Sequence, residues 1–564
     1  MPLGNEDGHK DDGNGEPSHQ FRRRSWRPHR RQLMGALAVA GTGLLAGCPD
    51  VAGPESGNGS TADTSDSETA EDDDEPTEGE PEGELQDVSL SAETIPAGNV
   101  VTVTVRIRNV GGTGVVEIPV KFGGITVDDT TVELDAGETA AVELTATVDF
   151  RGTEPVVVAG EAVGEITGEP PATIHVDPAG TEQATGTSPD PFGTIQSALD
   201  VAQPGHTVHV SPGTYTTQVQ TVRAGTTEEP ITITGPREAV YRSQAPFEIN
   251  HSHIHLTGLT FNGLLDPDSP EDDNVYSESL LQVNETFFER IKNGERSNDE
   301  PVSDEEYLVD VVVKPEAVGN CRADFVKIHW SRNVEIGEFE VIGPAGVKYL
   351  YGDSVGHNGE IVYVGNPIGK GYPIDVSRDI HIHHIDNSAG YEHNELVDVK
   401  GGARNVLVEY CTDSGGGRYV LDEADDTSEC VVHLGGRKCV LRWCAIEDSQ
   451  GQAVEVGSWD IAHPEEFEEN KGVDFPEEAE SFGRENSIYG NEFRDHDGLA
   501  VQYPVVYSEA DGLEIAEGYG PEDQRHVCGN EIDGPSHGSP AIDCETDLPT
   551  TDQIGHRGGN SPWT

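Results

Sequence analysis

The 564-residue sequence predicts an all-β protein in which a small β-sandwich precedes a long solenoid of stacked strands. Short β-rich runs that end in polar, Gly-rich turns recur between residues 357 and 449. NVLVEYCTDS (405–414) and CVLRWCAIEDS (439–449) share an apolar alternation, a late Cys and a closing Asp-Ser. Recurrence at about 20–40 residues is typical of a solenoid, because no single repeat can bury its own apolar face. A separate region, 86–176, alternates apolar and polar residues at period two, which favours a sandwich.

The composition is strongly acidic. Asp and Glu number 104 against 35 Lys and Arg, which gives a formal net charge of −69. This composition resembles that of proteins from extreme halophiles, whose surfaces repel themselves at low salt and require screening counterions. We therefore expect salt-dependent folding. We expect no nucleic-acid partner, because phosphate binding needs a basic face.

Residues 1–47 have the features of an export signal rather than of a folded domain. Arg30 and Arg31 precede the weakly apolar run GALAVAGTGLLAG (35–47), which is too short to span a bilayer core of about 30 Å. The adjacent arginines resemble a twin-arginine signal, and the Leu-Ala-Gly-Cys that ends at Cys48 resembles a lipobox. The resemblance implies that Cys48 carries lipid and that the protein is exported and anchored to the outer face of the cell membrane.

Two regions follow the signal. Residues 48–85 are rich in Asp, Glu, Ser, Thr, Gly and Pro and predict an acidic, disordered linker, because nothing there can build a core. Residues 86–176 contain alternating runs such as VVTVTVRIRNV (100–110) and VEIPVKF (116–122), which predict sandwich strands. Their order resembles CARDB-type immunoglobulin-like domains of prokaryotic surface proteins. That resemblance implies a spacer or adhesion module.

Residues 177–544 hold the predicted solenoid. A short helix is expected at its start, where four apolar residues fall on one helical face: Ile195, Ala198, Leu199 and Ala202. The helix would cover the open first edge of the strand stack. This helix and the strand run HTVHVSPGTY (206–215) resemble the start of secreted pectin-lyase-like proteins, which implies a right-handed parallel β-helix.

Insertions and turns interrupt the predicted β-helix. Acidic insertions are expected at 264–322, which includes an amphipathic helix over 277–294, and at 458–483, and insertions of this kind often lie on the binding face. A disordered tail is expected at 545–564. The Asp-Asn or Asp-Ser pairs at 386–387, 413–414 and 448–449 are expected to cap turns and to stack as a ladder.

Seven cysteines remain besides Cys48, an odd number that leaves at least one free thiol. The chain has no CxxC pair, which argues against a structural zinc site. Buried free thiols are expected rather than disulfides. Cys411 and Cys444 hold equivalent repeat positions and are expected to stack in the core.

The segment NELVDVKGGARN (394–405) resembles the Glu-to-Lys motif of the polysaccharide lyase family that includes alginate lyases and chondroitinase B. The resemblance implies that Glu395 is a calcium ligand and that Lys400, five residues later, is the catalytic base. Glu360 and Asn358, in a related run one rung earlier, are the further calcium ligands it implies. His433 falls near the family's Arg on the next rung, and His433 or Arg404 would stabilise charge or protonate the leaving oxygen.

The implied reaction is β-elimination from a uronic-acid polymer. The proton beside a carboxylate is a poor acid, and a bound cation stabilises the charge that develops when this proton leaves. Strict strand alternation would place Glu395 and Lys400 on opposite faces, so the pair needs a bend, for which Gly401-Gly402 is suited. A structural alternative for Lys400 is an ion pair with Asp398.

Two classes of function therefore stay open. The first is an enzyme acting on a polysaccharide, either a calcium-dependent lyase or a hydrolase that uses two carboxylates across the groove. The second is a non-catalytic surface protein that binds glycans or components of the cell envelope. A shared fold does not choose between them, because function depends on the site.

Overall fold

The structure is a computed structural model that describes residues 79–534 with short internal gaps. The gaps are residues 271, 298–299, 351–357, 369–371, 419–429, 458–460, 462, 472–473, 477–478, 480 and 509–511. The predicted export and lipidation residues Arg30, Arg31 and Cys48 lie outside the described residues, as do most of the linker and the tail at 545–564. The statements on those segments stay predictions.

The first described domain is a sandwich of two β-sheets. Its strands are β1 Gly83–Leu90, β2 Thr94–Pro96, β3 Val100–Asn109, β4 Gly114–Phe122, β5 Ile125–Leu134, β6 Thr139–Thr147, β7 Gly152–Val158 and β8 Glu161–Glu169. One sheet has the order β1-β3-β6, and the other has the order β2-β8-β7-β4-β5. Alternate residues such as Val103 and Val105 of β3 and Ile118 and Val120 of β4 are fully buried in one shared core. The sandwich predicted for 86–176 is present and starts at Gly83. Its CARDB-like identity stays a prediction.

Two parallel sheets follow the sandwich and build the β-helix. The nine-stranded sheet contains β12 Val219–Gln220, β14 Phe247–Ile249, β16 Leu281–Val283, β18 Val326–Ile328, β20 Val362–Val364, β22 Val397–Val399, β25 Cys430–Leu434, β28 Gln452–Val456 and β31 Val501–Gln502.

The sixteen-stranded sheet begins four residues before the predicted start of the solenoid. Its strands are β9 Thr173–Thr181, β10 Thr207–Val210, β11 Gly213–Tyr215, β13 Ile231–Tyr241, β15 Ile254–Asn262, β17 Leu308–Gly319, β19 Ser331–Val341, β21 Arg378–Asn387, β23 Arg404–Glu409, β24 Thr412–Ser414, β26 Val440–Arg442, β27 Ala445–Glu447, β29 Ser487–Tyr489, β30 Glu492–Arg494, β34 His526–Cys528 and β35 Glu531–Ile532. The right-handed parallel β-helix predicted from the sequence is confirmed. A separate hairpin joins β32 Val505–Ser508 to β33 Gly512–Ile515.

The sixteen-stranded sheet bends along its length. The first part of β21 pairs with β23 and its last part pairs with β24, so one long strand in an early rung corresponds to two short strands in the next. The bend uses left-handed backbone at His384, Tyr410 and Trp443, whose φ angles are 51°, 54° and 54°. The two halves of this sheet and the nine-stranded sheet enclose one continuous apolar core.

The helices whose bounds the structure gives within the described residues are α1 Ile195–Val201, α2 Glu285–Lys292, α3 Val347–Leu350 and α4 Pro464–Lys471. The predicted first helix is confirmed as α1, and its N-cap residue Thr194 accepts a hydrogen bond from the backbone nitrogen of Ser197 at 3.1 Å. None of the helices in the described residues has the length and the apolar character needed to cross a membrane.

The structure differs from the prediction of an insertion at 264–322. Two rung strands, β16 and β17, lie inside it, and the predicted helix over 277–294 is limited to α2. β17 lies in this acidic segment, and its residues Asp310 and Lys314 have partners outside β17, at His253 just before β15 and at Glu335 of β19. Asp310 Oδ2 lies 2.9 Å from His253 Nδ1, and Lys314 Nζ lies 2.7 Å from Glu335 Oε1. A reading of β17 by itself could not show these partners.

The cysteines largely follow the prediction. Five described cysteines are buried thiols rather than members of disulfides: Cys321, Cys411, Cys430, Cys439 and Cys444. Cys411 and Cys444 stack as predicted, and burial followed by the contact with Cys411 raises the pKa of Cys444 well above its ordinary value. Cys528 is disulfide-bonded, which the preference for free thiols did not predict.

Candidate functional site

Three successive rungs of the nine-stranded sheet carry related five-residue sequences. They are DFVKI at 324–328, EIVYV at 360–364 and ELVDV at 395–399. In each run the last three residues form the strand, and the first and last strand residues are buried in the core. The acidic first residues therefore stack in one column, and the fourth residues stack in a second column on the outer face.

The first column consists of Asp324, Glu360 and Glu395, which are only 0%, 1% and 5% exposed. Backbone groups hold the first two. The nitrogen of Gly359 donates to Asp324 Oδ1 at 2.9 Å and to Glu360 Oε2 at 2.6 Å, and the nitrogen of Glu360 donates to Asp324 Oδ1 at 3.2 Å. Adjacent buried carboxyl groups are costly unless protons or cations neutralise them.

The pKa values of Glu360 and Asp324, the two members bonded to backbone groups, are shifted in opposite directions. Burial, and then the charge of Asp324, raises the pKa of Glu360 well above its ordinary value. Burial alone would also raise the pKa of Asp324, but Lys327, whose Nζ lies 2.6 Å from Oδ2, and a hydrogen bond from Glu360 lower it to about 2. The environment therefore favours the charged form of Asp324 and the protonated form of Glu360.

The second column places Tyr363, Asp398 and His433 opposite one another on successive strands. Asp398 is fully buried between two cations, with Lys400 Nζ bonded to Oδ2 and His433 Nδ1 2.8 Å from Oδ1. Burial alone would raise the pKa of Asp398, but these cations lower it. Burial would lower the pKa of His433, but Asp398 raises it, and the charged ring also donates from Nε2 to the carbonyl oxygen of Gly457 at 2.5 Å.

Lys400 has features of both roles that the sequence left open, the catalytic base and the structural ion-pair partner of Asp398. The ion pair with Asp398 is present. Burial would lower the pKa of Lys400, but Asp398 and neighbouring groups that include Glu395 raise it well above its ordinary value. That direction is opposite to the one a lysine base needs near neutral pH. The expected obstacle of alternation is absent, because β22 covers only 397–399 and Glu395 and Lys400 lie before and after it.

Three carboxylates could hold a cation. Glu360, Glu395 and Asp398 each offer one oxygen atom that lies within 4.8 Å of those of the other two. Hard oxygen donors of this kind suit calcium, so the donor set fits the predicted ion. Two of its members were predicted from the sequence, and the third, Asp398, was expected only as a partner of Lys400.

The two remaining predicted site residues, Asn358 and Arg404, have different surroundings. Asn358 donates from Nδ2 to the hydroxyl of Tyr349 at 2.9 Å, and its role as a calcium ligand stays a prediction. Arg404 is exposed and begins β23 of the sixteen-stranded sheet, where it lies opposite Arg378. The turn at Gly401-Gly402 carries the chain onto this other sheet, so the four-residue separation from Lys400 does not place Arg404 in the same site.

A cavity of about 110 Å³ adjoins the cluster. Lys400 and His433, with side chains 22% and 13% exposed, form its polar wall. Ile461 and Phe482, from the predicted second insertion, form an apolar wall. The insertion therefore lies against the candidate site, as expected for an insertion on a binding face.

Three members of the site, Asp324, Lys327 and Tyr363, were not predicted from the sequence, and Asp398 was predicted only as a partner of Lys400. Alignment of the runs at 324–328, 360–364 and 395–399 by their shared Val would have placed all four in the two columns. The signal that could have found them is a repeat in which an acidic residue lies two residues before each short strand.

Comparison with known proteins adds information on the fold. A family described as "Protein of unknown function (DUF1565)" matches residues 178–234, in the first coils of the β-helix. No curated protein sequence matches the chain.

Among solved structures, a rhamnogalacturonan lyase is 11% identical with a TM-score of 0.39, and the alignment covers 66% of this chain and 85% of that one. A pectate lyase is 11% identical with a TM-score of 0.38, with 67% and 82% covered. A mannuronic acid-specific polysaccharide family 6 lyase from human gut microbiota is 12% identical with a TM-score of 0.20, with 59% and 87% covered. At these identities and TM-scores the likeness carries no argument about the activity of this chain.

Proposed function

We propose that the protein is a lyase that cleaves a uronic-acid-containing polysaccharide by β-elimination, with calcium held by Glu360, Glu395 and Asp398. One observation supports this most directly. Three buried carboxylates lie within 4.8 Å of one another, next to a cavity whose polar wall is formed by Lys400 and His433. A buried acidic cluster with basic groups at its edge is costly for folding, which favours a functional reason for its presence.

The substrate would enter with its carboxylate towards the polar wall of the cavity. Lys400 and His433 are both cationic and partly exposed there, so they attract and orient a uronate. Calcium, when bound, would neutralise the charge that develops on the substrate carboxylate. His433 is bonded on both ring nitrogens, so its role in the proposal is to position Asp398 and add positive charge. Arg404 has no role in it.

Lys400 is the proposed base, although in the structure its ion pair keeps it protonated. Neutralisation of Glu360, Glu395 and Asp398 by a divalent cation would remove charges that raise the pKa of Lys400. Burial would then lower that pKa towards the working range. The proposal therefore requires activity to depend on the cation and to fall in chelator.

The first test follows the ultraviolet absorbance of unsaturated uronate products. Alginate, pectate and glycosaminoglycans are incubated with the protein in multimolar salt, with calcium or with chelator. We expect a calcium-dependent rise on one polymer. We also expect Lys400→Ala to lower kcat at least about 100-fold, the range associated with loss of a general base.

Lys438→Ala is the matched control, because Lys438 is 53% exposed and lies 3.7 Å from Glu485, outside the candidate site. It should keep the activity of the parent protein. Full activity of Lys400→Ala, with circular dichroism unchanged, would rule out the proposed base.

A second candidate function is non-catalytic binding of an acidic glycan at the same cavity. The Lys400–Asp398 ion pair favours it, since a paired, protonated lysine is a binding group rather than a base. Absence of product from every polymer, together with binding of one of them that Lys400→Ala weakens, would establish this function instead.

A further inference from the structure

A second polar cluster lies on the outer face of the sixteen-stranded sheet, on a different sheet from the carboxylate column. β21 carries His381 and His383, two residues apart and therefore on one face of the strand. Glu335 of β19 lies directly opposite His381, and Glu409 of β23 lies directly opposite His383. The proposed lyase site uses none of these residues.

The geometry of this cluster is that of a set of metal ligands. Glu335, His381 and His383 each offer one ligand atom within 4.8 Å of those of the other two. His383 Nε2 lies 3.2 Å from Glu335 Oε1, a separation that two ligands of one tetrahedral ion also have. The two imidazole rings are stacked, with centroids 4.2 Å apart, and both histidines are at most 1% exposed.

Neighbouring groups orient both imidazole rings through hydrogen bonds, in the way that the ligands of a metal ion are oriented by groups that do not themselves bind the ion. His383 Nδ1 lies 2.9 Å from Nδ1 of His384, so a His383 that binds metal through Nε2 can donate its remaining proton to His384. His381 Nε2 lies 2.9 Å from Glu409 Oε1, and the other oxygen of Glu409 accepts from Arg442 Nε at 2.6 Å. Arg442 therefore fixes Glu409, and Glu409 fixes the ring of His381.

One group competes for the cluster. Lys314 Nζ lies 2.7 Å from Glu335 Oε1 and 2.9 Å from Glu338 Oε1, and its side chain is 21% exposed. A lysine on a flexible, partly exposed stem can leave Glu335 and keep Glu338 as its partner. The edge of the cluster at Glu335, whose side chain is 16% exposed, is the route by which an ion would enter.

We infer that Glu335, His381 and His383 form a binding site for a divalent transition metal ion of the zinc class. Two imidazoles and one carboxylate are ligands that zinc, cobalt and nickel take, whereas calcium and magnesium prefer sites made only of oxygen. Three protein ligands leave one position of a tetrahedral ion for water or another small ligand. This inference does not depend on the proposed lyase activity.

The test titrates the full chain with Co²⁺ in multimolar salt and excess Mg²⁺, which occupies the acidic surface. We expect one Co²⁺ per chain, with visible absorption bands typical of a low-coordinate, histidine-ligated ion, and Zn²⁺ should displace it. The double variant His381→Asn/His383→Asn should bind Co²⁺ more than roughly 100-fold more weakly, because loss of ligands exceeds the loss seen for outer-shell partners.

Two further variants separate a metal site from a structural ion-pair network. Lys314→Met should tighten Co²⁺ binding, because it removes the cation that competes for Glu335. A purely structural network predicts no tightening. Glu335→Gln, which keeps the side-chain size, should weaken binding and serves as the ligand variant if the double variant does not fold.

His209→Gln is the matched control. His209 lies on the outer face of the same sheet, and its ring contacts that of His175 rather than a carboxylate. It should bind Co²⁺ as the parent protein does. The inference is overturned if the parent protein shows no one-to-one binding, or if the double variant, or Glu335→Gln in its place, retains the parent affinity and absorption bands.

Discussion

Tyr363 shows how the outer column of the candidate site accommodates two partly exposed lysines. The ammonium groups of Lys327 and Lys400 lie 5.7 Å and 5.0 Å from the centre of its ring, so the ring separates two like charges and interacts with both. Burial raises the pKa of Tyr363 well above its ordinary value. Its hydroxyl therefore stays neutral, and the charge balance depends on the carboxylates.

Glu360 gives the sharpest residue-scale prediction. Because its pKa is raised in the folded state, that state binds more protons than the unfolded chain above about pH 4.5. Folding stability in chelator should therefore fall as pH rises above that value. Glu360→Gln keeps the shape and can still donate to Asp324, so in chelator at neutral pH we expect a Tm higher by about 2 °C or more.

The same variant should lose a calcium ligand. Calcium should raise the Tm of the parent protein and have a clearly smaller effect on Glu360→Gln. Thermal unfolding followed by circular dichroism, in calcium and in chelator across the pH range, measures both effects. The opposite contribution of Asp324, which is lost only as pH falls towards about 2, lies outside this window. An equal calcium response in the two proteins would contradict the assigned ligand.

At the scale of elements, the second insertion completes the site. Ile461, Ala479 and Phe482 pack with Ala516 and Tyr519 in an apolar cluster separate from the main core. This cluster covers the cavity beside Lys400 and His433. An acidic insertion is thereby held against the β-helix by a few apolar side chains.

Phe482 is the most informative residue of that cluster. It is 3% exposed, and a Cβ atom on Gly401 would lie 2.4 Å from its ring, so the ring packs directly on the turn that follows Lys400. We expect Phe482→Ala to lower the free energy of unfolding by about 3 kcal/mol or more. Urea unfolding measures the loss.

Phe475 is the control, because it packs against the same cluster but is only partly buried. Phe475→Ala should cost less than Phe482→Ala. A cost for Phe482→Ala no larger than that of the control would contradict its position between the insertion and the turn.

At the scale of the whole molecule, charge dominates. A formal charge of −69 on 564 residues favours unfolding at low ionic strength through self-repulsion. We expect the urea midpoint in chelator to rise steeply with NaCl and equally with KCl, since screening depends on ionic strength. Sorbitol, which does not screen charge, should have a much smaller effect. A cooperative, fully folded state in low-salt buffer without divalent ions would refute this prediction.

The sequence by itself determined the architecture. Period-two alternation in β3 and β4, the apolar face of α1 and the recurrence of short strands depend on local patterns, and each is confirmed. The grouping of Glu360, Glu395, Lys400 and His433 was also predicted, but from the resemblance of residues 394–405 to a lyase motif rather than from the repeats themselves. The export signal and the lipid anchor rest on the sequence alone.

Only the tertiary structure decided which side chains meet across rungs. The expected ladder is out of register. Asn387 rather than Asp386 lies opposite Asp413, to which its Nδ2 donates at 2.8 Å, and on the following strand Ile446 rather than Asp448 lies opposite Asp413. In the same way, strand register places Asp398 beside Glu360 and Glu395, and the turn after Lys400 places Arg404 on the other sheet. Strand alternation determines the face of each side chain, but its neighbours on that face depend on loops of unequal length and on backbone hydrogen bonds between rungs.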